Sequence, residues 1–119
     1  MSKNIIADKS YVFALSIIKI YKLMVGDRKE FILSKQLLKS GTAVGALVWE
    51  AEHAQSTADF LNKMNVSLKE ANETLYWLRL LKDSEYITIL EFESVFPNAE
   101  ELVRILVSIV KTTKQKLNK

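Results

Sequence analysis

The amino-acid sequence predicts an all-α protein, an up-down-up-down antiparallel four-helix bundle made by a single domain over residues 1–119. Two stretches repeat apolar residues at alternating spacings of three and four, the pattern of a helix with one buried side. The chain has only three Gly and one Pro, so few positions favour a helix break. Four helix-length stretches follow one another with short turns between them, and such helices pack as antiparallel neighbours.

The first helix is predicted from about residue 8 to residue 25, with Asp8 as its N-cap and Gly26 after its last turn. Its apolar residues are more numerous than one helix face can hold. A monomer rarely leaves such a surplus exposed to water, so we expect Leu15 and Ile18 to contact a second subunit.

The second helix is predicted over residues 28–54 and opens with the capping-box spacing of Asp27 and Glu30. Its apolar seam comprises Leu37, Gly41, Val44, Val48 and Ala51. Gly41 and Gly45 lie on one side of it, although each Gly costs a helix about 1 kcal/mol relative to Ala. Close helix packing explains them, because missing side chains let a neighbouring backbone approach.

The third helix is predicted over residues 57–82, because Ser56 and Asp59 have the spacing of a helix-capping pair. Its seam again alternates spacings of three and four and comprises Leu61, Met64, Leu68, Ala71, Leu75 and Leu78. This seam predicts the face that packs inside the bundle.

The fourth helix is predicted over residues 89–117 and opens with a capping box of Thr88 and Glu91. Pro97 is expected to kink or break it, since Pro is tolerated only in the first turn of a helix. Two apolar stripes follow. The stripe assigned to the core comprises Leu102, Ile105, Leu106 and Ile109. The stripe assigned to a homo-oligomer interface comprises Val103, Val107 and Val110.

Composition excludes several classes of function. The chain contains no Cys, which rules out disulfides and thiolate chemistry. Its longest apolar run is far too short to cross a bilayer, and Lys19 and Lys22 interrupt the segment that a signal peptide would need. We therefore expect a cytoplasmic protein that does not contact a membrane.

Enzymatic function is not expected. The sequence has no Gly-rich phosphate loop, nucleophile elbow or catalytic-triad pattern. Glu50 and His53 have the E-x-x-H spacing of di-iron carboxylate bundles, which need two such motifs. Since the chain has one His, a second motif is missing within a subunit. We expect no metal site and no cofactor, and we interpret His53 as a surface or helix-capping residue.

Basic residues give the strongest indication of a binding surface. The net charge is only +3, but Arg28, Lys35 and Lys39 form a row on the second helix that continues to Trp49. Such a row can hold phosphates, and the aromatic ring can stack on a base. With Lys29, these basic residues are the first candidate set for nucleic acid. The second candidate set, in the C-terminal tail, comprises Lys111, Lys114 and Lys116.

A simpler interpretation stays open for both basic sets. Lysines near a helix end are often merely solvated, and at the C-terminal end they suit the helix dipole. In the predicted bundle, acidic residues lie at the same ends as the basic ones and partly cancel their charge. Only an oligomer that aligns several copies of the second-helix row would then create a strong field.

Several segments together resemble a known bacterial family. They are KSYVFAL (9–15), SKQLLKSGTAVGALVWEA (34–51), AQS (54–56), DFLNKM (59–64) and LKEANETLYWL (68–78). This combination spans nearly the whole chain and is similar to the four-helix bundle proteins of the ribosomal-RNA intervening-sequence family. These are encoded within insertions in large-subunit ribosomal RNA genes or elsewhere on bacterial chromosomes. The fold is also similar to the accessory variability protein of diversity-generating retroelements.

The resemblance implies a homopentamer, which agrees with the surplus apolar stripes. Most family members have no established activity, whereas the retroelement relative associates with a reverse transcriptase and with nucleic acid through basic surfaces. This chain departs from the family pattern at two positions. Leu47 stands where the family usually has Asn, and Trp49 stands where it usually has a polar or small residue.

Two functions remain as hypotheses. The first is a non-enzymatic homo-oligomeric bundle that binds structured RNA or a ribonucleoprotein partner through the basic sets. The second is a protein-binding scaffold whose partner contacts apolar and acidic groups, including the stretch from Asp83 to Glu101. An affinity that falls steeply as the salt concentration rises would favour the first hypothesis, and an affinity that does not change with salt would favour the second.

Overall fold

The computed structural model describes residues 4–118, and residues 1–3 and 119 of the predicted domain lie outside that range. Its four helices are α1 (Ile5–Val25), α2 (Leu33–Ala51), α3 (Thr57–Asp83) and α4 (Ile89–Leu117). Consecutive helices pack against each other, α1 also contacts α4, and the described residues contain no strand. The predicted all-α four-helix fold class is therefore confirmed.

The contact between α1 and α2 runs in the antiparallel sense. A side chain added at Gly41 would meet Ile17, and one added at Gly45 would meet the backbone of Ser10. The α1 residue number thus falls as the α2 residue number rises. This order is compatible with the predicted up-down-up-down topology.

The core runs along the bundle and receives side chains from all four helices. Its largest fully buried side chains include Ile17, Met24, Leu37, Leu78, Leu81, Leu102 and Leu106. Truncating one such Leu to Ala typically costs about 2–5 kcal/mol. Packing of these apolar faces therefore stabilises the helices more than their intrinsic propensities do.

A polar seam lies within the core between α2 and α3. The buried Ser67 hydroxyl donates to the Val44 carbonyl at 2.9 Å, and the buried Thr74 hydroxyl donates to Ser40 Oγ at 3.0 Å. Leu68, which the sequence assigned to the buried seam, is only half-buried beside them. Because each buried hydroxyl has a partner, the seam helps to set the register of the two helices at little cost.

α1 begins earlier than predicted. Asn4, not Asp8, is its N-cap, because the Asn4 side chain accepts a hydrogen bond from the Ala7 N–H at 3.1 Å. Asp8 lies in the first turn, where its negative charge suits the helix dipole. Asn and Asp are about equally favoured as N-cap residues, so residue type alone did not show which of the two positions begins the helix.

α2 begins at Leu33 rather than at residue 28, because the Lys29 backbone is left-handed with φ 55°. Glu30 caps the helix in place of the capping box predicted for Asp27. Its buried carboxylate accepts from three backbone N–H groups, those of Ile32, Leu33 and Ser34. Burial alone would raise the pKa of Glu30, but these hydrogen bonds outweigh it and hold that pKa below its ordinary value.

The end of α2 also differs from the prediction. The helix ends at Ala51 rather than near Ala54. The N–H groups of His53 and Ala54 bond to carbonyls three residues back, at 3.0 and 3.1 Å. This tighter pattern closes the helix into a turn.

The caps of α3 and α4 are those predicted from the sequence. Ser56 Oγ accepts from the Asp59 N–H at 3.0 Å. Thr88 and Glu91 form a reciprocal capping box, in which each side chain accepts from the other residue's backbone N–H. Capping residues three positions apart were thus sufficient to predict where these two helices start.

α4 continues through Pro97. Of the two outcomes predicted at this residue, a kink or a break, the break is therefore wrong. Val95 and Ala99, on either side of the Pro, are buried against the other helices. An interior Pro costs a helix about 3 kcal/mol, and burial of its neighbours offsets that cost.

The outward stripe predicted for α4 is wrong at Val110, which is buried in the core and only 6% exposed. Leu102, Leu106 and Val110 are four residues apart and share the core side of the helix. Val103 is half-buried, whereas Val107 is 47% exposed. Of the three valines, Val107 alone is largely available for contacts outside the subunit.

Candidate nucleic-acid interface

The α1–α2 side of the bundle is basic over most of its length. Residues 9–26 contain three Lys and residues 31–49 contain two, and neither range contains Asp or Glu. Four of these lysines are exposed and form no ion pair within residues 4–118: Lys19, Lys22, Lys35 and Lys39. The fifth, Lys9, is paired with Glu101 of α4 at 3.2 Å. This side therefore carries a positive charge that its own residues leave uncompensated.

On α2, the lysines form a regular row. Lys35 and Lys39 are one helical turn apart, about 6 Å along the axis. Thr42 and Ala46 continue the row at spacings of three and four residues, and Trp49 ends it about 15 Å beyond Lys39. Trp49 is 67% exposed. The row combines charges for phosphates with an aromatic ring.

On α1, Lys19 and Lys22 extend this surface, although no binding role was predicted for them from the sequence. Because Ile17 contacts Gly41, the α1 segment after Ile17 runs beside the α2 segment that carries Lys35. The lack of acidic residues in both segments was a signal in the sequence. Its meaning depends on the packing of α1 against α2.

Arg28 does not belong to this surface, and its place in the predicted row is wrong. Its guanidinium donates to both carboxylate oxygens of Glu91 at 2.7 Å and to the Tyr86 carbonyl at 2.9 Å. Hydrogen bonding from Arg28 lowers the pKa of Glu91 to about 2. The side chain thus ties the α1–α2 connection to the start of α4. Lys29 is exposed in that connection, outside α2.

The C-terminal lysines form a separate basic surface. Lys111, Lys114 and Lys116 are exposed on the last turns of α4, where their charges suit the helix dipole. Two acidic residues at this end, Glu50 and Asp59, lie 3.7 and 3.9 Å from Lys63 of α3. Lys63, rather than the tail lysines, therefore neutralises part of this acidic charge.

An apolar groove lies between α1 and α2 at the Trp49 end of the basic row. Tyr11 on α1 and Trp49 on α2 line it and are 64% and 67% exposed. Small residues form most of the rest of its lining: Ala7, Ala14, Thr42, Gly45 and Ala46. Glu50 also lines it, and Lys63 of α3, 3.7 Å from this carboxylate, offsets part of its charge. Its volume is about 360 Å³. Trp49 was predicted from the sequence but Tyr11 was not, because only packing brings the two aromatic residues into one groove.

The two residues considered for a metal site, Glu50 and His53, lie at the end of α2 and in the turn that follows it. His53 is exposed in the turn after α2, and the neighbouring candidate Glu50 faces Lys63. Across residues 4–118, no three His, Cys, Asp or Glu side chains form a group suited to a metal ion. In the same part of the chain, no helix has the length and apolar character needed to cross a membrane.

The candidate interface residues lie on two different sides of the subunit. Leu15 is 51% exposed on α1, and Ile18 is half-buried on the same helix. Val107 lies eleven residues, or three helical turns, after Phe96, which lines a groove with α3 residues. Leu15 and Val107 therefore belong to separate apolar patches.

Comparison with known proteins identifies relatives of the chain. The sequence model of one family, described as "23S rRNA-intervening sequence protein", matches residues 2–108. A similar solved structure is the 1.70 Å crystal structure of a protein with unknown function from the S23 ribosomal protein family of Bacteroides thetaiotaomicron VPI-5482. The two sequences are 53% identical, and the structures have a TM-score of 0.87. The match covers 89% of this chain and 98% of that one. No curated protein matches the chain by sequence.

Proposed function

We propose that this chain, which belongs to the 23S rRNA-intervening sequence protein family, is a non-enzymatic homo-oligomeric bundle that binds structured RNA through its α1–α2 side. The family resemblance stated from the sequence is confirmed by the match over residues 2–108. The observation that carries the functional proposal is the set of four exposed lysines, Lys19, Lys22, Lys35 and Lys39, in segments without acidic residues. Contacts with phosphates supply most of the attraction between such basic surfaces and nucleic acid.

Two separate apolar patches support a cyclic oligomer. A twofold dimer uses one self-complementary patch, whereas a ring uses two different patches on each subunit. The exposed side chains of Leu15 on α1 and Val107 on α4 belong to different patches. A ring such as the expected homopentamer would bring several copies of the lysine surface together, so its field would exceed that of one subunit.

The first test of RNA binding is a titration of purified protein with a fluorescently labelled RNA hairpin at about 50 and 200 mM salt. The double variant Lys35→Glu/Lys39→Glu should bind more weakly than the wild type. Two lost phosphate contacts should also make the slope of log affinity against log salt shallower by roughly 1.5–2 per subunit. Circular dichroism should show the same helix content, because both side chains are exposed.

The matched control is Lys69→Glu/Arg104→Glu, which makes the same change of charge at exposed positions on α3 and α4. It should retain most of the wild-type affinity. Equal weakening in the two double variants would show that net charge, rather than the α1–α2 side, determines binding. Unchanged affinity in the Lys35/Lys39 variant would eliminate this surface, and no binding at low salt would reject the RNA proposal.

A protein-binding function is the second candidate, and a different surface favours it. At the end of the bundle where α4 begins, Ile89 is 66% and Leu90 is 79% exposed, with Glu85 and Glu93 nearby in the chain. A partner with apolar and basic groups would fit this surface. Capture of a protein partner at high salt, by a chain that binds no RNA at low salt, would favour this candidate.

A further inference from the structure

The groove between Tyr11 and Trp49 combines exposed aromatic side chains with room for a flat ring. The two aromatic residues come from different helices, and small residues form most of the rest of the lining. Gly45 brings the helices close, since an added Cβ would lie 3.2 Å from the Ser10 carbonyl oxygen. The volume of about 360 Å³ is ample for one aromatic heterocycle.

The lysines farther along α2 indicate which flat ring this groove would bind, and the groove's own acidic residue, Glu50, lies 3.7 Å from Lys63. Trp49 ends the row that contains Lys35 and Lys39, and about 15 Å along α2 separates it from Lys39. A strand whose phosphates contact these lysines would reach the groove within a few nucleotides. Base–aromatic stacking tolerates any base and is worth about 1–3 kcal/mol per base by alanine substitution.

We propose that the groove between Tyr11 and Trp49 stacks one unpaired base of an RNA whose adjacent phosphates contact Lys35 and Lys39. This inference rests on the proposed RNA binding and specifies its substrate as structured RNA with an unpaired nucleotide beside a stem. Bases paired within a helix are stacked and cannot enter the groove, so recognition requires a bulge, a loop or an end.

The experiment uses two RNA hairpins with the same stem and the same tetraloop of stacked bases, of which one carries a single bulged 2-aminopurine. The wild type should bind the bulged hairpin about tenfold more tightly, and the 2-aminopurine fluorescence should be quenched on binding. Trp49→Ala should bring the affinity for the two hairpins within about twofold, because the bulged base loses its stacking partner. The matched control is Tyr76→Ala, which removes another aromatic residue, 59% exposed on α3.

The outcomes separate this inference from the proposed function. Equal affinity of the wild type for both hairpins, with no quenching, would overturn the base-binding role and leave RNA binding intact. No affinity for either hairpin at low salt would overturn both. A lower oligomer mass of Trp49→Ala in light scattering would show that a second copy of the chain covers the groove, which would also overturn the base-binding role.

Discussion

At the scale of single residues, Glu91 connects two parts of the chain. Glu91 Oε1 accepts a hydrogen bond from the Thr88 backbone N–H at 2.9 Å within the capping box. The same carboxylate accepts hydrogen bonds from Nη1 and Nη2 of Arg28. Bidentate ion pairs between Arg and a carboxylate are stronger than ordinary surface ion pairs. The contact joins the α1–α2 connection to α4, which are distant in sequence.

The stability lost when the Arg28–Glu91 ion pair is removed should depend on pH. The folded-state pKa of Glu91, about 2, lies below the ordinary value of 4.5. Its stabilisation is therefore complete above about pH 4.5 and disappears as pH falls toward 2. We expect Arg28→Ala to lower the free energy of unfolding by about 1–2 kcal/mol at neutral pH, since the pair is partly exposed. That deficit should shrink between pH 4.5 and 2.

Urea denaturation of both proteins across this pH range measures the effect. Lys9→Ala is the control, because it removes an ion pair between α1 and α4 whose side chains are 44% and 40% exposed. Its effect should stay below about 1 kcal/mol at all pH values. A deficit for Arg28→Ala that is the same at pH 7 and pH 2.5 would contradict the assigned role of Glu91.

At the scale of helices, the glycines of α2 determine how closely α1 packs. A Cβ at Gly41 would lie 2.9 Å from two carbons of Ile17, which is fully buried and cannot move away. A Cβ at Gly45 would lie 3.2 Å from the backbone oxygen of Ser10. The loss of helix propensity at these positions is thus compensated by close packing of the two helices.

Filling the Gly45 position should separate the two helices. Gly45→Leu is expected to lower the free energy of unfolding by about 1–3 kcal/mol or more, because the Ser10 backbone cannot yield as a flexible side chain would. Ala46→Leu, at the exposed neighbouring position, should change it by less than about 0.5 kcal/mol. Thermal and urea denaturation of both variants test this, and full stability of Gly45→Leu would refute the close contact.

At the scale of the whole molecule, the apolar patches at Leu15 and Val107 predict how subunits assemble. Five chains of 13.6 kDa would give a ring of about 68 kDa in light scattering. Leu15→Glu and Val107→Glu should each release monomers, because each replaces an exposed apolar side chain by a charge in one of the two patches.

Mixing the two variants distinguishes a ring from a twofold dimer. In a ring, the intact α1 patch of Val107→Glu can pair with the intact α4 patch of Leu15→Glu. The mixture should then form a dimer of about 27 kDa that cannot grow further. A mixture that stays monomeric, or single variants that keep the wild-type mass, would rule out this arrangement of patches.

Much of the fold was predictable because its determinants are local. The periodicity of apolar residues predicted four helices, and the caps at Ser56 and Thr88 were found from side chains three residues apart. The predicted helix starts were wrong where two residues were both suitable N-caps, or where one residue has a left-handed backbone. In the first case the N-cap of α1 is Asn4 and not Asp8. In the second, the left-handed backbone of Lys29 means that α2 begins later in the chain than predicted.

The candidate site was predictable only in part. The sequence alone determined which residues are basic, that Lys35 and Lys39 share a helix face with Trp49, and that residues 31–49 contain no Asp or Glu. Tertiary structure decided that Arg28 is held by Glu91 and that Tyr11 lines one groove with Trp49. Helical periodicity places residues only relative to their own helix, whereas ion pairs and grooves depend on how separate helices pack.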